Sequence, residues 1–79
     1  MSEHIYKSIE LTGTSKTSME EAVNNAIAKA NKTIHKLKWF EVTDIRGVID
    51  KNVVDHWQIT MKVSFTLDDG SEQIPDLGM

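Results

Sequence analysis

Between Val53 and Leu67 the chain alternates apolar and polar residues with almost no error. Val53, Trp57, Ile59, Met61, Val63, Phe65 and Leu67 are apolar, and His56, Gln58, Thr60, Lys62, Ser64 and Thr66 interleave with them as the polar set. A period of two sustained this long predicts a β-strand with one apolar face and one wet face. Fifteen residues at about 3.4 Å each reach roughly 50 Å if straight. A compact chain of 79 residues has a radius of gyration near ~12 Å and a diameter near ~30 Å. The strand is too long for the body that owns it. Either it bends strongly or it runs onto neighbouring subunits, and the second makes function a property of an assembly.

Size adds weight to the second option. Seventy-nine residues form one domain close to the lower limit of what a single core stabilises alone. No cysteine is present, which excludes disulfide staples, thiolate metal sites and a catalytic thiol. Association is the remaining source of stability. The net charge is −3 without a Lys/Arg run, so the electrostatic footprint of a nucleic-acid binder is missing. No apolar stretch is long enough to span a bilayer and the N-terminus does not read as a signal peptide, so the expected location is the cytoplasm, with no membrane partner.

The rest of the chain reads in order. His4 to Thr12 places Ile5, Ile9 and Leu11 on one parity and predicts a first strand. Gly13 to Thr17 is turn-rich and predicts a connection. Ser18 followed by Glu21 has the spacing of a capping box. Val23, Ala26, Ile27, Ala30, Ile34 and Leu37 then recur at helical spacing, predicting one amphipathic helix from about Met19 to Leu37. Glu20 and Glu21 fall at its positive end, while Lys29, Lys32, Lys36 and Lys38 gather toward its negative end. A second strand is expected from about Phe40 to Ile49, joined to the long third strand by a short hairpin at Asp50-Lys51-Asn52. Residues 1–67 therefore make the domain, and 68–79, with Gly70, Pro75 and Gly78, a C-terminal tail.

Strand, helix, strand, strand is an α+β unit of two layers, a three-stranded antiparallel sheet partly wrapping one helix. One helix cannot cover the whole apolar face of a sheet with so long a strand. The uncovered part needs other chains.

Most constellations that invite chemistry have plainer readings. His4, His35 and His56 are spread over a terminus, a helix and a strand without metal-ligand spacing, and read as surface or hydrogen-bonded histidines. Gly13 to Thr17 ends in the Lys-Thr of a phosphate loop but has one glycine and the wrong spacing. Glu20-Glu21 and Asp68-Asp69 fit a helix start and a turn better than an acid–base pair. The Lys29/Lys32/Lys36 row reads as a solvated face, with contact to the phosphate of a ligand as the weaker alternative. No Ser or Thr stands in a nucleophile setting. Nothing argues for an enzyme, and neither catalytic nor metal-ligating residues are assigned.

Two residues resist the plain reading. Trp39 falls where the helix hands over to the second strand, a place that suits a core plug and a ligand platform equally. Gln58 lies on the wet face of the long strand, where a glutamine is ordinary. Together, though, a flat indole and an amide are what a planar heteroaromatic ring needs. The indole stacks on its face, and the amide offers one acceptor and donors to an imide-like edge. Trp57 has the opposite parity and should point into the apolar layer.

The segments YKSIELTGTS, TSMEEAVNNAIAKA, LKWFEVTDIRG and HWQITMKVSF resemble the dodecins, small flavin-binding proteins, over about Ile5 to Leu67. The last two segments are the specific ones. The resemblance implies a β-α-β-β protomer assembled into a hollow homo-dodecamer, with flavins paired near two-fold axes between tryptophans of neighbouring subunits. It assigns that tryptophan to Trp39, the glutamine at the isoalloxazine edge to Gln58, and a residue close to the flavin to Arg46. The expected cofactor is FMN or riboflavin, bound and stored without turnover, and coenzyme A stands as a second candidate partner. Thr66 departs from the pattern, since some bacterial relatives carry an arginine there, and this bears on the choice between phosphorylated and free flavin. The alternative of another class is an oligomeric shell or interaction module in which Trp39 only packs.

Overall fold

The computed structural model describes residues 4–67. Tyr6–Ser15 forms strand β1, Met19–Ala30 helix α1, Leu37–Asp50 strand β2 and Val53–Thr66 strand β3. β3 lies between the other two and is antiparallel to both. It does not bend back on itself. The molecule measures 54 × 20 × 18 Å with a radius of gyration of 15.1 Å, well above the ~12 Å of a compact chain of this length. The expected strand, helix, strand, strand order and the two layers are present, and the β2–β3 end projects as an arm. The tail expected over 68–79 falls outside the described residues.

The core lies where β3 meets α1. Ile59, Met61, Val63 and Phe65, alternate residues of β3, are fully buried, each contributing about 1.5–3 kcal/mol if the whole side chain leaves water. Ala22, Ala26 and Ala30 repeat every fourth residue and form the buried ridge of α1. Small side chains let the helix lie low on the sheet, and Gly13 of β1 sits beneath Ala22 and Ala26. This explains a departure from the sequence reading. Gly13, Thr14 and Ser15 belong to β1, paired with Ile59, Gln58 and Trp57; the turn-rich composition reflects close helix–strand packing at the glycine.

The helix start is half of the expected box. Ser18 Oγ accepts from the Glu21 N–H at 3.0 Å, but the Glu21 carboxylate accepts from Ser15 Oγ instead of returning to the cap. Ser15 Oγ in turn accepts from the N–H groups of Thr17 (2.9 Å) and Ser18 (3.3 Å). The helix also ends earlier than the stripe implied. It stops at Ala30, where Asn31 caps and Thr33 N–H turns back to the Ala30 carbonyl at 3.1 Å. Asn and Thr are poor helix formers, and Lys36 adopts a left-handed φ of 65° that redirects the chain. Residues Leu37 and Trp39, read as helix end and junction, are therefore already in β2.

Between β2 and β3 the loop is Lys51-Asn52, with φ of 55° and 67° and Asp50 opposite Val53. Two consecutive left-handed residues make a type I′ turn, whose twist suits a hairpin. α1 packs on β1 and β3 and makes no close backbone approach to β2. Phe40, Val42 and Ile45 are consequently exposed, as are Ile49, Val53 and Val54 near the turn. That is an apolar surface one chain leaves bare. No helix of the described residues is long and apolar enough to cross a membrane.

Candidate functional site

The wet face of the sheet is a ladder of rows set by strand register. Thr14, Gln58 and Arg46 form one row, Thr12, Thr60 and Asp44 the next, and Ser8, Ser64 and Trp39 another nearer the far end. Thr12 and Thr60 hydroxyls join at 2.9 Å and those of Ser8 and Ser64 at 2.7 Å, so the face is polar and internally bonded. Gln58 and Arg46 are thus direct cross-strand partners. Trp39 stands opposite Ser64, six residues further along β3 than Gln58, or about 20 Å away. Two of the three expected site residues are brought together, and the third is at the other end.

Trp39 is 48% exposed, which rules out the core-plug reading within a single chain. Its indole meets the Tyr6 ring at 4.8 Å between centroids and 59° between planes, a tilted pair of the favourable kind. Tyr6 and Trp39 reach each other across β3. Ser64 and Thr66, polar residues of β3 at this end, are buried, which their parity alone would not suggest. The Thr66 hydroxyl has no hydrogen-bond partner. A cleft of about 180 Å³ on the helix side of this end is lined by Ile27, Leu37, Lys38, Trp39, Phe40 and Val63. Trp57 instead lies on the other face against Gly47, as its parity predicts.

At the opposite end, Arg46 is exposed and its Nη2 donates to Asp44 Oδ2 at 3.1 Å. The Gln58 amide lies 3.4 Å from His56 Nε2, and His56 Nδ1 lies 2.7 Å from Asp55 Oδ2. Lys16 Nζ donates to the other carboxylate oxygen at 3.3 Å. The His56 hydrogen bond, then Lys16, holds the Asp55 carboxyl below its ordinary range. Sequence alone left His56 as a surface or hydrogen-bonded histidine and named no partner for it. The partner is its own neighbour in the chain, a pairing that no motif spacing signals. Tyr6 was likewise missed, although its register with Thr66 follows once the strands are aligned. A larger groove of about 620 Å³ between β1 and α1, floored by Ile9, Leu11, Ala26 and Ile34, includes none of the three expected site residues.

This sheet, helix and row order can be compared with known proteins. The Dodecin family model matches residues 5–68. The chain belongs to the dodecin family. The curated dodecin of Thermus thermophilus is 43% identical over 65 residues, covering 82% of this chain and 94% of that one. Among solved structures, dodecin from Streptomyces davaonensis superposes with a TM-score of 0.81 at 43% identity, covering 86% of this chain and 100% of that one. A more distant structure, described as a calcium dodecin from Mycobacterium tuberculosis with a calcium-binding site, gives 0.71 at 26% identity, covering 87% and 99%. Among the described residues of the present family member, no three His, Asp or Glu side chains gather as a metal site.

Proposed function

We propose that this protein is a cytoplasmic store that binds flavin, FMN or riboflavin, in stacked pairs at interfaces between subunits of a closed homo-dodecamer, without substrate turnover. The observation that carries the reading is the separation of Trp39 from Gln58 along one face. An aromatic platform and an edge-reading amide about 20 Å apart on the same strand ladder cannot serve one ring within one chain. They can serve it when Trp39 comes from one protomer and Gln58, with Arg46 beside it, from another. The bare apolar surface of Phe40, Val42 and Ile45 gives neighbouring chains a reason to be there, since burying it is favourable.

The residues fit such a ring. Trp39 presents an indole that is half open and held in place by Tyr6. Gln58 supplies an acceptor for a ring N–H and a donor for a ring carbonyl, and Arg46 adds positive charge in the same row. Bound flavin would supply a redox-active, light-absorbing heteroaromatic ring. Trp39, placed to stack on such a ring, would serve as an electron donor beside it, the chemistry by which an indole quenches an excited heteroaromatic ring. Sequestration and photoprotection are then one device.

The test is complementation. Trp39→Ala and Gln58→Leu chains are each expected to form oligomers that bind flavin poorly. Co-expressed, they assemble mixed oligomers in which some interfaces pair an intact Trp39 with an intact Gln58, so part of the tight, fluorescence-quenching binding returns. No recovery in mixed oligomers of confirmed composition would sink the two-chain site. A light-scattering mass of a monomer or dimer for the parent protein at micromolar concentration would sink the assembly.

A further inference from the structure

The hydrogen-bond chain behind Gln58 has a consequence for the amide's chemistry. Lys16, Asp55, His56 and Gln58 are linked in sequence at 3.3, 2.7 and 3.4 Å. An ionised carboxylate only accepts hydrogen bonds, so the His56 nitrogen facing Asp55, Nδ1, must carry a proton. A neutral imidazole has one N–H, which leaves Nε2 with its lone pair. Nε2 therefore accepts from the Gln58 amide nitrogen, and this contact fixes which end of the amide faces His56. Oε1 and the second amide proton are left for a ligand.

We propose that His56 is the positioning residue that sets the donor–acceptor order of Gln58, so that the charge on this imidazole decides which atoms the amide presents to a bound heteroaromatic ring. The inference rests on the flavin reading for the identity of the ligand. When His56 is neutral, Gln58 offers an acceptor and a donor side by side, the complement of an N–H next to a carbonyl. When His56 takes a second proton, its Nε2–H meets the amide NH₂ donor to donor. The amide turns over, Oε1 accepts from Nε2–H, and only N–H groups remain for the ligand. A ring N–H then faces another N–H, and one ligand donor is stranded.

The charged groups around His56 come from three places. Lys16 follows β1 and acts through Asp55, Arg46 and Asp44 stand on β2 in the rows of Gln58 and Thr60, and Glu21 of α1 is bonded to Ser15 on the helix side of the sheet. None of these is an imidazole, the side chain type whose ordinary charge change falls between about pH 5 and 8. His35, exposed in the segment between α1 and β2, serves as the control.

Riboflavin is the probe, because the phosphate of FMN changes its own charge near pH ~6. Titration by fluorescence quenching should give an affinity on the order of tenfold weaker at about pH 5.5 than at about pH 8, the cost of one stranded buried donor. His56→Phe, which keeps a ring but has no nitrogen, should flatten the profile, and His35→Gln should leave it. A second measurement needs no ligand. In protein with ¹⁵N-labelled His and Gln, the neutral His56 should show the Nδ1–H tautomer, and the Gln58 NH₂ signals should move as His56 gains its proton. Gln58 signals indifferent to His56 charge would overturn the coupling, and so would a pH profile that survives in His56→Phe or vanishes in His35→Gln. If the Gln58 signals follow His56 but riboflavin binds at no pH, the coupling stands and the flavin reading is what fails.

Discussion

Gly13→Ala tests whether the helix height over the sheet is set by one missing methyl group. A Cβ placed on Gly13 would overlap the backbone carbonyl oxygen of Ala22 and stand 2.9 Å from Ala26 Cβ, against an ordinary carbon–carbon contact of about 3.5–4.0 Å. The Ala22 oxygen belongs to the helix backbone and cannot rotate away, so α1 must lift as a body. Lifting it parts Ala22 and Ala26 from Ile59, Met61 and Val63, with which they form the core cluster. Overpacking of this kind costs about 1–3 kcal/mol, and the loss of glycine's freedom in the unfolded chain offsets about 0.4–1 kcal/mol of that. The expected net loss is about 0–2.6 kcal/mol. Gly47→Ala is the matched control, since its added Cβ would meet Trp57 ring carbons at 3.7 Å, an ordinary contact. Neither glycine holds a left-handed φ, so the difference between the variants reports packing. Urea midpoints at one protein concentration measure it, because association contributes to apparent stability. A Gly13→Ala protein as stable as Gly47→Ala, with unchanged oligomer mass, would refute the argument.

Trp39→Ala should lose most flavin affinity and quenching, about 1–3 kcal/mol for the deleted platform, whereas Trp57→Phe should bind almost normally; equal losses in fluorescence titrations would contradict the facial assignment. Gln58→Leu strands two polar ligand groups at about 1–3 kcal/mol for a buried unsatisfied group, a ten- to hundredfold weakening, while Thr60→Val, which loses only the bond to Thr12, should change affinity far less. Asp55→Asn should remove a small acid-sensitive share of stability. The folded Asp55 carboxyl is held below its ordinary value of 3.8 by His56 and Lys16. The advantage of the parent protein is therefore full above that ordinary value and disappears as pH falls through the lower, folded value. Urea midpoints of the two proteins at about pH 7 should differ and should converge in acid; a gap that widens in acid would reverse the sign.

Local physics made much of this chain legible. The alternation through β3 established a strand too long for its body, because side-chain parity depends only on the backbone pleat, and the 54 Å long axis follows from it. Ser18 as a helix start and a short hairpin around Asp50-Lys51-Asn52 were equally readable, since caps and turns are short-range chemistry; that Asp50 belongs to β2 was not. Where the helix ends was not readable, because Ile34 and Leu37 continue the apolar period beyond the place where Asn31 and Lys36 turn the chain. Nor did composition show that Gly13 belongs to a strand, since what requires a glycine there is the Ala22 carbonyl above it, a contact between elements. The site divides in the same way. Trp39 and Gln58 were singled out by residue type and assigned to the site by the resemblance of the segments around them, both of which the sequence carries. Their separation by six positions of β3, the Tyr6 ring against Trp39 and the hold of Asp55 and His56 on the Gln58 amide were decided by register and rotamer. Register is chosen by which rows bury the most apolar surface across three strands at once, and that choice exists only when the whole sheet is assembled.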